Sequence, residues 1–258
     1  MASSPQAPDD AAKAPVYSAP ALEKGFTILE LLAEFPRGLT ITEMAGKLGL
    51  SVSEIFRVIM VMERLGWLRR HPGDRFRVTM RVLEVGFKAT PVDDLVQTAA
   101  PYMRELTNRI EQSCHLVVRN GNQGMVVYRQ QTPGPTVFAV RVGAQIPLES
   151  TCSGHVLLAF DAVNDGPVVS SVIEDPAVDL MLRKVKSRGY EMMKSTRTVG
   201  VTDISYPIFG GNGIVLAALT VPFLQLIDGT QTVLRDEVRL VLQESCRQIS
   251  EELGAILS

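Results

Sequence analysis

The stretch that most constrains this chain is LTITEMAGKLGLSVSEIFRVIMVMERLGWLRRH, residues 39–71. It holds two helix-start signals eleven residues apart. Thr40 with Glu43, and Ser51 with Glu54, are each Thr/Ser-x-x-Glu capping boxes, in which side chains satisfy the unpaired amides of a first helical turn. Between them Gly49-Leu50 breaks the periodicity, so the spacing predicts two short helices joined by a tight turn. In the second, Ile55, Ile59, Met62 and Leu65 recur at three and four residues, and Gly66 can adopt the left-handed backbone that ends a helix. Downstream, Trp67-Leu68-Arg69-Arg70 and Arg75-Phe76-Arg77-Val78 flank His71-Pro72-Gly73-Asp74, the pattern of a β-hairpin. Helix, turn, helix and hairpin in that order predict a winged helix-turn-helix, with the hairpin as the wing.

Charge points the same way. Between Arg57 and Arg81 seven arginines oppose only Glu63 and Asp74, a local charge of +5 in a chain whose net charge is -2. The remainder therefore carries -7, and a compact basic patch on an acidic protein is the footprint expected where phosphates are neutralised. A ligand for this region is accordingly double-stranded operator DNA, with an RNA or protein contact as the alternative.

The rest of the chain has a different rhythm. Residues 1–20 are rich in Ala, Pro and Ser without apolar periodicity and are expected to be a disordered tail; with Asp9 and Asp10 and no arginine they do not resemble a leader peptide. Leu22–Glu34 reads as a helix stopped by Pro36-Arg37-Gly38. Met80–Phe87 reads as a short apolar helix or turn, and Lys88-Ala89-Thr90-Pro91 as an inter-domain link. A first domain over 21–90 and a second over 91–258, opening with a linker helix, follow. Leu95–Ser113 is an amphipathic helix. His115–Arg119, Met125–Gln131 and Val137–Val142 read as strands around turn signals, followed by helices at Ser153–Val163 and Val178–Arg188. Strands at Tyr190–Lys194, Asp203–Phe209 and Ile214–Pro222 come next, then a helix over Val233–Leu257. The glycine cluster 210–213 joins two strands and precedes no helix, so it reads as a hairpin loop rather than a nucleotide cradle. The pattern predicts an α+β fold in which helices pack on an antiparallel sheet.

Three scattered cysteines, Cys114, Cys152 and Cys246, imply reduced thiols, and three distant histidines with no Cys-x-x-Cys pair give no metal set. Ile214–Ile227 is too short and too polar to span a membrane, so a cytoplasmic protein with no membrane partner and no cofactor is expected. An enzyme would need Cys152 with His155, or Cys114 with His115. Neighbours on a strand point to opposite faces, and neither pair has an evident orienting group, so no catalytic residue is assigned.

Taken together, Leu29-Glu30-Leu31-Leu32, Gly49-Leu50, Glu63 to Leu68, Pro147-Leu148 through Gly154 to Leu158-Ala159, Arg188-Gly189-Tyr190, and Gly200-Val201 through Pro207-Ile208 resemble the IclR-type transcriptional regulators over Ala21–Gly254. The resemblance implies a winged helix-turn-helix joined by a helix to a GAF/PAS-like effector-binding domain, in a homodimer or homotetramer. It implies that the second helix enters DNA with Ser53 and Arg57, supported by Thr40, Ser51, Glu54 and the wing arginines Arg69, Arg70, Arg75 and Arg77. Many relatives have lysine, threonine and histidine where this chain has Val52, Glu54 and Phe56. Glu54 then either serves the cap or accepts a hydrogen bond from a cytosine amine. The implied effector is a small organic or aromatic acid, lined by Thr151, Cys152, Ser153, Gly154, His155, Met193, Val201, Asp203, Ser205, Leu219 and Thr220. Amides at Cys152-Ser153 suit a carboxylate at a helix start, or Ser153 merely caps that helix. Arg129, Arg141 and His155 are candidate counter-ions.

Overall fold

The computed structural model describes residues 18–89, 92–134, 136–161, 176–211, 213–226 and 231–256, the side chain of Phe87 excepted. Two compact units divide between Thr90 and Pro91. The expected tail lies almost wholly outside the described residues, as do Thr90-Pro91 of the link and Asn212 of the glycine cluster.

The first unit contains α1 (Pro20–Ala33), α2 (Ile41–Leu48), α3 (Val52–Arg64), β1 (Leu68–His71), β2 (Arg75–Val78) and α4 (Arg81–Ala89). Both capping boxes form. Thr40 N donates to Glu43 Oε2 at 2.8 Å while Glu43 N donates to Thr40 Oγ1 at 3.2 Å. Ser51 N reaches Glu54 Oε2 at 2.8 Å, with the return bond from Glu54 N at 3.4 Å. The turn between α2 and α3 closes on Gly49 in the left-handed region, where Leu50 N donates to Ala45 O. The wing pairs Leu68 with Val78 and His71 with Arg75, and Leu39 bridges to Phe76 so that the wing is stitched to the segment before α2. Ile28, Met44, Ile55, Ile59, Leu68 and Phe76 form the core, each essentially without exposure. Leu65 instead ends α3 and is half exposed, because Gly66 turns the chain before it reaches that core.

The second unit contains α5 (Val92–Ile110), β3 (Cys114–Asn120), β4 (Gln123–Gln130), β5 (Gln145–Pro147), α6 (Cys152–Phe160), α7 (Pro176–Arg188), β6 (Glu191–Lys194), β7 (Val201–Phe209), β8 (Val215–Leu224) and α8 (Arg235–Glu252). Six strands lie in the order β5-β4-β3-β8-β7-β6, every neighbour antiparallel. Strand alternation sends Leu116, Leu219, Val221 and Ile204 to one face, where Ala99, Met103 and Leu106 of α5 and Val238, Leu242 and Ile249 of α8 cover them. Val117, Val126 and Ala218 point to the other face, under Val156 and Leu157 of α6 and Val185 of α7. The fold is α+β, as expected.

One predicted strand is absent. Residues 137–142 have no regular structure; β4 is instead edged by Gln145–Pro147. Gly143, at φ +83, and the bond from Ala144 N to Arg141 O turn the chain onto β4 only after Val142. The helix expected over Ser153–Val163 starts one residue earlier and ends at Phe160; residues 162 and 163 are not among those described.

Candidate functional site

On the first unit, the sequence of α3 fixes which side chains remain outside. Ile55, Ile59 and Met62 are buried, which leaves Val52, Ser53, Phe56 and Arg57 on the exposed side of the first two turns. Glu54 is exposed but committed: besides its cap bond it accepts from Ser51 Oγ at 2.8 Å and from Lys24 Nζ of α1 at 3.2 Å. The Ser51 amide, the Ser51 hydroxyl and Lys24 hold its carboxyl down at about 2. Of the two roles open to Glu54, the structure shows the cap.

The basic patch divides into committed and uncommitted cations. Arg75, expected on phosphate, donates to Gly38 O at 2.7 Å and to both carboxylate oxygens of Glu43 at 2.9 and 3.1 Å, tying the wing to α2. Arg70 grips Asp74 across the hairpin turn at 2.7 and 3.0 Å. Arg57, Arg69 and Arg77 make no ion pair among the described residues, and Arg69 stands opposite Arg77 on the wing. Thr40 and Ser51 use their hydroxyls on the caps, and the Ser53 hydroxyl lies 3.1 Å from that of Ser51. An apolar groove of about 500 Å³ also runs between α1 and α3, walled by Leu22, Phe26, Val61, Leu65 and Trp67.

On the second unit, a cavity of about 90 Å³ lies between the N-terminus of α6 and strands β3, β7 and β8. Thr151, Cys152, Ser153, Asp203 and Thr220 line it. Gly154 seats the start of α6 against the segment after β5: a Cβ there would sit 2.2 Å from Leu148 O. Thr151, not Ser153, caps the helix, accepting from Gly154 N at 3.2 Å and donating to Pro147 O at 2.5 Å. The amides of Cys152 and Ser153 therefore have no hydrogen-bond partner among the described residues, at the positive end of the helix.

Other expected residues sit elsewhere. Leu219 projects into the core on the opposite sheet face, because it alternates with Thr220. His155 shares a hydrogen bond with Glu191 Oε2 at 3.2 Å through Nδ1, and its Nε2 lies 2.9 Å from Glu149 O, so it is an internal strut rather than a counter-ion. Burial pushes the Glu191 carboxyl up, but bonds from His155 and Met192 N and the charge of Arg188 bring it below the usual range. Gly154, Met193, Val201 and Ser205 do not line the cavity; the Ser205 hydroxyl supports Thr220 from behind at 2.8 Å. Arg129 and Arg141 are not at its walls either. Cys152 Sγ donates to Glu191 O and Asp203 O, and burial raises its thiol far above the ordinary value, which disarms it as a nucleophile.

Nine lining residues were not foreseen, and four of them bear on binding. Arg197 stands exposed at the mouth with no ion pair among the described residues. His115 is buried beside Thr220, its Nδ1 without a partner, and burial lowers its ring to about 4, so it is neutral. Phe138 and Val140 come from the segment read as a strand. The alternation of β3 does place His115 on the face opposite Cys114, which was the available signal. Burial also raises Asp203 above 3.8, opposed by a bond from Ser195. Among the described residues no cluster of three or more His, Cys, Asp or Glu could hold a metal ion, and no helix is long and apolar enough to cross a membrane.

A capped helix-turn-helix with a basic wing, followed by a sheet domain with a small cavity, is the make-up of a DNA-binding transcriptional regulator. Residues 21–72 match the family model described as the IclR helix-turn-helix domain, and residues 87–251 the one described as bacterial transcriptional regulator IclR C-terminal. The chain belongs to the IclR family of transcriptional regulators. Among curated relatives, the HTH-type transcriptional regulator KdgR of Escherichia coli (strain K12) is 26% identical over 246 residues, spanning 90% of this chain and 91% of its own. XynR of the same organism, an HTH-type transcriptional regulator, is 24% identical over 246 residues, spanning 90% and 96%. An IclR homologue from Microbacterium hydrocarbonoxydans, solved as a complex with 4-hydroxybenzoate, has the same fold with a TM-score of 0.75, 24% identity and coverage of 90% and 98%.

Proposed function

We propose that this chain is a one-component transcription factor in which a small organic acid in the cavity at α6 sets the affinity of the α3 face and wing for operator DNA. The observation that carries the ligand class is the pairing of an uncommitted Arg197 with two unused helix-start amides at one cavity, which together suit a carboxylate. Opposite them, neutral His115 offers one unmet hydrogen-bonding nitrogen to a hydroxyl or keto oxygen. Asp203, whose carboxyl burial raises, is the acid on the same wall and can accept a hydrogen bond from a ligand hydroxyl.

Size narrows the ligand further. At about 90 Å³ the cavity is smaller than the ~300 Å³ at which drug-sized pockets begin, so it suits an acid of a few carbon atoms as it stands. An aromatic acid fits only if Phe138 and Val140 move. The 4-hydroxybenzoate held by the Microbacterium homologue combines a carboxylate with a hydroxyl, the two features matched by Arg197 and His115 here. The genes controlled are those that take up or break down such an acid.

The acting species is a dimer or tetramer. Leu22 and Phe26 on α1, and Val82, Leu83 and Val85 on α4, are apolar yet exposed within their own unit, and two wings are needed for neighbouring half-sites. The apolar stripe of α5, by contrast, is covered by its own sheet.

The test is calorimetry with a panel of two- to seven-carbon hydroxy, keto and aromatic acids and their amides, beside operator titrations with and without the best binder. The acid should bind and its amide fail. Arg197→Ala should lose that preference, and the effector should shift operator affinity by about 1 to 3 kcal/mol, with operator shifting effector affinity equally. Ligand binding without any change in operator affinity would end the regulatory reading. A light-scattering mass of one chain at micromolar concentration, with and without DNA, would end the assembly reading.

A further inference from the structure

We propose that Val52 and Phe56 read thymine: their side chains meet C5-methyl groups in the major groove, making the operator thymine-rich where the first two turns of α3 enter. The proposal rests on the DNA-binding reading of the first unit. Val52 and Phe56 are four residues apart and so share one side of the helix, and they are 43% and 47% exposed. The core absorbs Ile55, Ile59 and Met62 but neither of these. Nor do they belong to the groove between α1 and α3, whose α3 wall is Arg57, Val58, Val61, Met62 and Leu65. Ser53 and the uncommitted Arg57 flank them, so apolar, hydroxyl and cationic groups stand together at the end of the helix that supplies base contacts in such folds.

A partner for that surface must offer phosphates and apolar groups side by side. In the major groove the thymine methyl is the apolar group presented by the bases, and phenyl or aliphatic side chains recognise it by contact. The one carboxylate near this face is turned to other partners, since Glu54 pairs with Lys24 and accepts from the amide and hydroxyl of Ser51.

The experiment selects duplexes from a random-sequence pool with the full-length protein. The best duplex is then resynthesised with each thymidine in turn replaced by deoxyuridine, which keeps pairing and removes only the methyl. At one or more positions per half-site, wild type should lose about fourfold in affinity, the equivalent of ~0.8 kcal/mol for one buried carbon. Phe56→Ala or Val52→Ala should bind the thymidine and deoxyuridine forms alike at those positions. Arg57→Ala should weaken both forms and keep their ratio. Both apolar residues are exposed, and an unchanged melting curve confirms that the variants fold. Equal wild-type affinity for both forms at every position would overturn the proposal, as would a ratio that survives in both alanine variants. A change in oligomeric mass caused by Phe56→Ala without DNA would also overturn it and assign the face to a second copy of the chain. Failure of wild type to select any duplex would instead sink the DNA-binding reading, and this proposal with it.

Discussion

Gly154→Ala tests the claim that α6 is seated by backbone contact. An added Cβ would lie 2.2 Å from Leu148 O, 2.5 Å from its Cα and 2.6 Å from its carbonyl carbon. All three are main-chain atoms, so no rotamer change relieves the clash; α6 or the segment after β5 must give by the better part of an ångström. Overpacking of this kind costs about 1 to 3 kcal/mol, and in a unit of this size each kcal/mol moves the midpoint by about 2 to 4 °C. A midpoint lowered by several degrees is therefore expected in circular dichroism melts. The single tryptophan, Trp67, lies in the first unit, so its emission reports that unit separately and should keep its wild-type spectrum before the transition. The displaced helix start carries the Thr151 bonds to Gly154 N and Pro147 O, so effector affinity should fall with stability. A variant melting within a degree of wild type would refute the close-packing argument.

What was legible in the sequence follows from the range of the interactions involved. The capping boxes, the hairpin turn and the alternation of β7 and β8 are set by residues a few positions apart, and each formed where the spacing placed it. The cavity is assembled from β3, β7, β8, the start of α6 and the loop after β6, and its membership depends on which strand face each residue takes. The alternation of β7 puts Val201, Asp203 and Ser205 on one side of the strand, but only the fold shows that Ser205 spends its hydroxyl on Thr220. The family resemblance implied both Leu219 and Thr220, although neighbours in a strand take opposite faces and only Thr220 reaches the cavity. Arg197 lies in a loop without periodicity and therefore gave no signal. The arginines of the wing were indistinguishable by composition. Only the fold shows that Arg75 meets Glu43, 32 residues away, while Arg69 and Arg77 meet no acid among the described residues.

Ser51→Ala should destabilise the first unit by about 1 kcal/mol through loss of the α3 cap, read as a lower denaturant midpoint in Trp67 emission; an unchanged midpoint would contradict the cap. Arg75→Ala should lower that midpoint too and weaken all duplexes alike, whereas Arg77→Ala should reduce the salt dependence of DNA binding without a stability change; the reverse pattern would mean their roles are exchanged. Cys114, Cys152 and Cys246 should react with thiol reagents only on unfolding, and rapid labelling of native protein would show that the burial is wrong. Asp203 gives a test with a definite sign. Burial raises its carboxyl in the folded, ligand-free protein above the 3.8 that holds when unfolded, so the folded state binds the proton more tightly. Its contribution to stability is thus fully present below 3.8 and is lost as pH rises through the folded value. Asp203→Asn removes the desolvated charge and cannot titrate. The variant should melt like wild type near pH 3.5, and its advantage should grow with pH and level off once wild-type Asp203 has ionised. A difference between the two proteins that stays constant from pH 3.5 to 8 would show that Asp203 keeps its ordinary ionisation despite burial. The cavity would then present a full negative charge to any acid that entered it.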